Sequence, residues 1–131
     1  MKFKVAVIGS RSFTNYQRLE SVLLYSFGQQ VKNKSILIVS GGASGADTLA
    51  ERFAKEYSLE KEIYPANWDK YGKKAGYLRN EMIVKNSDTV IAFWDGISKG
   101  TKHSINLAKK HHKALLVIDV AGGTIGKQTV S

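Results

Sequence analysis

Short apolar runs alternate with segments of helical periodicity along the chain. Runs rich in valine, isoleucine and leucine predict five strands, at residues 3–8, 36–39, 59–64, 89–93 and 114–118. Because the apolar residues occupy successive positions, these runs are typical of strands covered on both faces, as in a parallel sheet.

The segments between the strands predict four helices, at residues 16–27, 45–57, 73–86 and 101–112. The second of these has an unbroken apolar stripe, formed by Ala46, Leu49, Ala50, Phe53, Ala54 and Tyr57. The stripe of the third is formed by Ala75, Leu78, Met82 and Ile83. Regular alternation of strand and helix predicts an α/β domain with a five-stranded, mostly parallel sheet and helices on both faces.

The length of 131 residues and the absence of repeats or linkers predict a single domain over residues 1–131. Residues 121–131 have no convincing period, and the pattern leaves open a flexible loop, a disordered tail or a partner contact. No apolar run is long enough for a membrane span, and the N-terminus begins directly in a strand pattern, so we expect neither a membrane segment nor a signal peptide. Cysteine is absent, which excludes disulfides and thiolate metal sites and favours a cytoplasmic location.

The formal net charge of +9 favours phosphate-bearing partners, from mononucleotides to nucleic acid. The lysines and arginines are scattered along the chain, however, and a scattered basic surface is more typical of solubility than of a DNA track. Charge alone therefore does not choose between these partners.

Polar and glycine-rich clusters follow four of the predicted strands, at residues 9–13, 40–47, 65–69 and 94–101. Loops that follow parallel strands lie at one edge of the sheet, which is where open α/β folds bind ligands. Residues 41–45 and 96–101 each precede a helix, so both are candidate phosphate cradles made of backbone amides and a helix N-terminus. The structural alternative is a tight turn, and Ser44 with Asp47 also matches a capping box.

Arg79 lies inside the apolar stripe of the third predicted helix. A guanidinium on an apolar face requires a partner, so it is a candidate clamp for a phosphate or carboxylate. An ion pair with Asp88 or a side chain that extends to solvent would explain it equally. Asn80 is a weaker candidate because it points to another helix face.

Four further side chains of the loop region are candidates for contacts with a nucleotide. Trp68 and Trp94 could stack on a base or simply pack at a strand end. Asp47 and Asp95 are the best-placed acids for ribose hydroxyls or acid–base catalysis, although Asp47 would also complement a helix dipole. The histidine spacing indicates no metal site, and no cofactor is expected.

Four ordered motifs resemble the SLOG superfamily, and within it the small YspA-type (YpsA-related) domains. They are GSRSF at residues 9–13, SGGASGAD at 40–47, AG at 75–76 with RN at 79–80, and AFWDG at 92–96 with GT at 100–101. The resemblance covers residues 4–118. It implies a Rossmann-like fold that binds nucleotides or nucleotide derivatives. Its relatives include the Lonely Guy phosphoribohydrolases and DNA-processing protein A, which binds single-stranded DNA.

By this resemblance and the loop pattern together, one group of residues is expected to bind the ligand: Gly9, Ser10, Arg11, Gly41, Gly42, Ala43, Ser44, Gly45, Asp47, Arg79, Asn80, Trp94, Gly96, Ser98, Gly100 and Thr101. The chain departs from the Lonely Guy pattern in one respect, since Ser104 stands where those enzymes have a catalytic glutamate. Phosphoribohydrolase chemistry would then need a carboxylate from Asp47 or Asp95.

Three functions follow as hypotheses. The first is binding, sensing or processing of a phosphorylated nucleotide or nucleotide-derived small molecule. The second is hydrolysis of a nucleotide N-glycosidic bond, and the third is binding of single-stranded nucleic acid through the basic and aromatic residues of segment 68–77. A homodimer is expected only by resemblance.

Overall fold

The computed structural model describes residues 2–120 and the backbone of residues 127–130. These ranges contain six strands: β1 (Phe3–Gly9), β2 (Ile36–Ser40), β3 (Glu60–Ile63), β4 (Thr89–Trp94), β5 (Ala114–Asp119) and β6 (Lys127–Val130). The helices are α1 (Tyr16–Lys32), α2 (Ala46–Glu56), α3 (Trp68–Tyr71), α4 (Ala75–Lys85) and α5 (Lys99–Lys110), with a 3₁₀ turn at Gly72–Lys74 between α3 and α4. The alternation of strand and helix predicted from the sequence is confirmed.

The strands form one sheet in the order β3-β2-β1-β4-β5-β6. The first five strands are parallel, and β6 pairs antiparallel with β5. The central strand β1 pairs with β2 on one side and with β4 on the other, so the chain passes from one half of the sheet to the other between β3 and β4. The fold is therefore α/β and Rossmann-like, as expected.

The alternation of side chains along each strand divides the core into two layers. Val5 and Val7 of β1 face a layer that includes Leu19 and Leu23 of α1 and Phe53 of α2. Ala6 and Ile8 face the opposite layer, which includes Ile83 and Val84 of α4 together with Ile105 and Ala108 of α5. Helices thus cover both faces, which explains why the strands are continuously apolar in sequence.

The apolar stripe predicted for α4 is partly wrong. Leu78 is 40% exposed and Met82 50% exposed, whereas Ala75, Ile83 and Val84 are buried. Residues spaced four apart lie on the same face of a helix, and the face of α4 that packs against the rest of the protein contains Ala75, Arg79 and Ile83. The sequence pattern was misleading because an apolar residue on an exposed helix face costs little.

Other element boundaries also differ from those predicted. Helix α1 continues past residue 27 to Lys32, with non-helical dihedral angles at Phe27. Residues 68–71 form the short helix α3 where a loop was expected. In the tail, residues 127–130 form β6 and extend the sheet, which corrects the expectation of a segment without regular structure. Residues 121–126 and 131 lie outside the described residues.

Among the helices of the described ranges, none has the length and apolar composition needed to cross a bilayer.

Candidate functional site

The main cavity lies beyond the carboxyl ends of β1 and β4, where the chain leaves these neighbouring strands toward opposite faces of the sheet. This is the position at which open α/β sheets bind ligands. Its volume is about 390 Å³, within the range of small-molecule sites. The lining comes from the loop after β1, the start of α2, the inner face of α4 and the start of α5: Ile8, Gly9, Ser10, Arg11, Ser12, Ala43, Asp47, Arg79, Asn80, Ile83, Ser98, Gly100, Thr101 and Ser104.

Ser10 joins three of the loops that surround the cavity, and it is almost completely buried. Its backbone carbonyl accepts a hydrogen bond from the Ala46 amide at the start of α2 (3.4 Å). Its hydroxyl accepts from the Asp95 amide after β4 (3.1 Å) and lies 3.2 Å from the Ser98 hydroxyl. The loops after β1, β2 and β4 therefore converge, as the sequence predicted.

The glycine loop after β2 binds the side-chain carboxylate of Asp47. Oδ2 of Asp47 accepts hydrogen bonds from the amides of Gly41 (3.1 Å) and Ala43 (3.3 Å), and the Gly42 amide donates to the Ser40 hydroxyl (3.3 Å). Three amides of this predicted phosphate cradle are therefore engaged internally. The predicted capping box is wrong, since α2 begins after Gly45 without a side-chain cap and Asp47 instead binds the preceding loop.

Gly45 is required by the close approach of two loops. Its φ is +79°, a left-handed conformation that glycine adopts without strain. A Cβ atom there would overlap the backbone of Ser10 and Arg11. The first turn of α2 consequently lies directly against the loop after β1.

Burial raises the pKa of Asp47 to about 6, against the lowering effect of the loop amides and of Arg79. Asp47 is also the one acidic residue in the lining of the main cavity among the described residues. A carboxyl group with a pKa near 6 can accept a hydrogen bond from a hydroxyl group or exchange a proton at ordinary pH.

Two guanidinium groups line the main cavity. Arg79 is half-buried; its Nη1 donates to the Gly41 carbonyl (2.9 Å) and its Nε to Oδ1 of Asn80 (3.0 Å). Burial lowers the pKa of Arg79, the charge of Asp47 opposes this, and repulsion from Arg11 adds to the lowering. The proposed ion pair with Asp88 is wrong, because the Asp88 carboxylate accepts a hydrogen bond from the amide of Lys4 in β1.

The start of α5 forms the remaining wall. Ser98 is the residue before the helix, and its side chain does not cap the helix. The backbone amides of the first turn, at residues 99–101, have no hydrogen-bond acceptor within the helix, as at every helix N-terminus. The positive end of the helix dipole therefore lies beside the cavity, near Gly100 and the buried Thr101.

The structure does not bring Asp95 into the main cavity. Its Oδ1 accepts from the amides of Ile97 (2.9 Å) and Ser98 (2.8 Å), and its Oδ2 accepts from the Ser98 hydroxyl (2.9 Å). These bonds hold the pKa of Asp95 at about 2. Asp95 is thus an ionised group that shapes its own loop. Trp94 is similar, since its Nε1 donates to the Ser98 carbonyl (3.1 Å) and its ring packs against the core.

A second cavity of about 320 Å³ adjoins the first and shares Arg11, Ala43 and Arg79 with it. Its other lining residues come from the loops after β2 and β3 and from α3: Gly41, Gly42, Ser44, Pro65, Ala66 and Trp68.

The predicted binding residues thus fall into three groups. Ten line the main cavity: Gly9, Ser10, Arg11, Ala43, Asp47, Arg79, Asn80, Ser98, Gly100 and Thr101. Gly41, Gly42 and Ser44 line the second. Gly45, Trp94 and Gly96 line neither.

Six lining residues were not among those expected to bind the ligand: Ile8, Ser12, Ile83, Ser104, Pro65 and Ala66. Helical spacing could have indicated two of them, since Ile83 is four residues after Arg79 and Ser104 is three after Thr101. Within the part of the chain that the structure describes, no group of three histidines or carboxylates could hold a metal ion.

Several solved structures share this fold. DNA processing protein A from Streptococcus pneumoniae superposes with a TM-score of 0.71 at 21% identity, over 93% of this chain and 53% of that protein. The DNA processing protein A of Helicobacter pylori, whose structure shows its single-stranded DNA binding mode, superposes with a TM-score of 0.59 at 27% identity. The match covers 88% of this chain and 64% of that protein. The molybdenum cofactor carrier protein of Chlamydomonas reinhardtii gives 0.61 at 20% identity over 89% and 76%. The chain therefore spans only part of the DNA-processing proteins.

In sequence, the chain is 41% identical over 81 residues to the Gene 61 protein of Mycobacterium phage D29, which covers 57% of this chain and 65% of that protein. The family model for the YspA, cpYpsA-related SLOG family matches residues 3–71, more than half of the chain. The chain belongs to the YspA, cpYpsA-related SLOG family.

Proposed function

We propose that the protein binds a phosphorylated nucleotide or nucleotide-derived small molecule in the main cavity. The observation that carries this proposal is the pair of arginines, Arg11 and Arg79, which line one cavity and repel each other. An anion between them would relieve this repulsion and would receive charge-assisted hydrogen bonds.

The phosphate is best accommodated on the α5 side of the cavity. The amides of the Gly41–Ala43 stretch are already engaged, whereas the first turn of α5 offers amide donors and a positive dipole end. The hydroxyls of Ser98 and Thr101 are nearby donors in the same lining. In this arrangement Asp47 contacts the sugar, and Arg79 lies between the sugar and the phosphate.

The test is a thermal-shift screen against nucleoside mono- and diphosphates, ADP-ribose and cyclic nucleotides. A ligand of the native state raises the melting temperature in proportion to the logarithm of its concentration above Kd. Arg11→Ala should reduce this shift, and Lys55→Ala, which removes one positive charge from an exposed position on α2, should not. Failure of every nucleotide to shift the wild-type protein would refute the proposal.

Asp47 supports a second candidate function, hydrolysis of a nucleotide N-glycosidic bond. Its pKa of about 6 would allow it to activate a water molecule for attack on the anomeric carbon, with the base as the leaving group. Against this stands Ser104, which lines the cavity at the position of the family glutamate and has no carboxylate. Release of free base over hours would identify the enzyme, and full turnover by Asp47→Ala would exclude Asp47 as the catalytic group.

The Helicobacter pylori relative supports a third candidate, single-stranded DNA binding. Segment 68–77 offers the exposed aromatic rings of Trp68, Tyr71 and Tyr77. Three lysines lie among them in the sequence: Lys70, Lys73 and Lys74. Affinity for oligonucleotides that falls steeply with salt, together with no response to mononucleotides, would favour this function over the first.

A further inference from the structure

We propose that the second cavity is a subsite for a planar ring, so that the ligand is a nucleotide joined through its phosphate to a second ring-bearing unit. A dinucleoside diphosphate has this chemistry. The inference rests on the proposed function of the main cavity and specifies the class of its ligand.

The two cavities are continuous through the arginines. Arg11 and Arg79 line both, and Ala43 completes the shared boundary. A pyrophosphate that reaches from the start of α5 to this shared boundary would have one phosphate at each place and would direct one nucleoside toward each cavity. A pyrophosphate fits this boundary better than a terminal phosphate, because it places two anionic groups beside two cations.

Trp68 supplies the stacking surface. It is the first residue of α3 and lines the second cavity, yet its side chain is 53% exposed. Asn67 fixes the helix start by accepting a hydrogen bond from the Lys70 amide (3.1 Å). The edge of the Trp68 ring lies above Gly76, 3.4 Å from where a Cβ would be. A large aromatic ring that is held in place but left exposed is the kind of surface on which bases stack.

Beyond the boundary formed by Arg11 and Arg79, the second cavity offers few free donors for another phosphate. The amides of Gly41, Gly42 and Ala43 donate to Asp47 and Ser40, so they are not free to bind an anion. Neither glycine has a side chain to fill the space, and Pro65 and Ala66 add apolar surface. Ser44 provides a polar group at the wall.

The test uses isothermal titration calorimetry to compare each nucleoside 5′-monophosphate with the symmetrical dinucleoside diphosphate of the same base. For the preferred base, we expect the dinucleoside diphosphate to bind the wild-type protein roughly 5- to 150-fold more tightly, which is the gain that stacking of one base supplies. Trp68→Ala should abolish this gain and leave the affinity for the monophosphate unchanged. Trp68→Phe should restore part of the gain.

Tyr71→Ala is the matched control, because Tyr71 is a similarly exposed aromatic residue of α3 that does not line the second cavity. It should behave as wild type toward both ligands. Circular dichroism of each variant establishes that it is folded.

The possible failures are distinguishable. If the wild-type protein binds the monophosphate and the dinucleoside diphosphate equally, the second subsite is refuted while the proposed function stands. If neither ligand binds, both proposals fail. If affinity instead grows with oligonucleotide length and Tyr71→Ala weakens it as much as Trp68→Ala, segment 68–77 binds nucleic acid and the small-ligand subsite is wrong.

Discussion

A few buried polar residues hold the loops of the site together, and Ser10 contacts three of these loops. Its hydroxyl accepts from the Asp95 amide, and its carbonyl accepts from the Ala46 and Phe13 amides. Because it is 1% exposed, water cannot easily replace these bonds.

Ser10→Ala should therefore destabilise the protein by about 1–3 kcal/mol, since it leaves the Asp95 amide without its acceptor. Urea unfolding of the two proteins measures the difference. Ser12→Ala, an exposed position in the same loop, serves as the control and should change stability by less than about 0.5 kcal/mol. Equal stabilities for Ser10→Ala and wild type would show that the hydroxyl does not join the loops.

Asp47 makes a pH-dependent contribution to stability with a defined sign. Its pKa is about 6 in the folded state, whereas the ordinary value for an aspartate, expected in the unfolded state, is 3.8. Between these two pH values the folded state therefore binds more protons than the unfolded state. The contribution of this group to stability therefore falls as the pH rises from about 4 to about 6, and it is lowest above pH 6.

In Asp47→Asn this dependence disappears. Relative to wild type, the variant should gain roughly 1–3 kcal/mol between pH 4 and pH 7, since each pKa unit corresponds to about 1.4 kcal/mol. Urea unfolding at several pH values tests this, with Asp69→Asn at an exposed position as the control. Parallel pH profiles for wild type and Asp47→Asn would mean that the carboxyl titrates normally.

At the scale of elements, the start of α5 carries the proposed phosphate contact. Gly100 lies in its first turn, and a Cβ added there would meet no atom within 4 Å. The protein alone gives no steric reason for glycine at this position. Close approach of a ligand phosphate to the backbone supplies one.

Gly100→Ala should stabilise the free protein by about 0.4–1 kcal/mol and weaken nucleotide binding. Gly28→Ala in α1 is the matched control, because a Cβ there also meets no atom within 4 Å and the position lines neither cavity. It should affect stability similarly and leave binding unchanged. Thermal melting with and without ligand separates the two effects. If Gly100→Ala bound nucleotides as tightly as the wild-type protein, the proposed phosphate position at the start of α5 would be wrong.

At the scale of the whole molecule, β6 covers an edge of the sheet. It pairs with Leu115–Ile118 of β5, which would otherwise present unpaired backbone groups. Removing residues 121–131 should therefore lower the melting temperature and promote association of the chains. A chain that ends at residue 130 retains the pairing and is the control; light scattering during thermal unfolding measures both quantities. Identical behaviour of the two chains would show that β6 does not protect this edge.

Two further properties of the whole molecule stay predictions. The homodimer is expected by resemblance alone, and sedimentation velocity measures it directly. The cytoplasmic location rests on the cysteine-free composition. Neither affects the assignment of the site.

The periodicity of apolar residues and the order of strands and helices along the chain determined the fold class and the edge of the sheet at which the site lies. The successive apolar residues of β1, β2 and β4 and the stripe of α2 predicted the parallel sheet, because burial on two faces leaves a continuous apolar pattern. That the polar loops share one edge followed from parallel connection alone. Sequence was less informative for the buried face of α4, where Leu78 and Met82 are exposed, and for the tail, where the strand of residues 127–130 has no recognisable period.

Only the tertiary structure decided the direction of the site's side chains. Asp47 and Asp95 look equivalent in sequence, yet one lines the main cavity and the other binds its own loop. Nor does the sequence indicate that Asp47 occupies the amides of the glycine loop, or that Arg11 and Arg79 line a common cavity from elements far apart in the chain. The physical reason is that local pattern reports which face of an element is buried, whereas the partner of a polar side chain depends on the packing of distant segments.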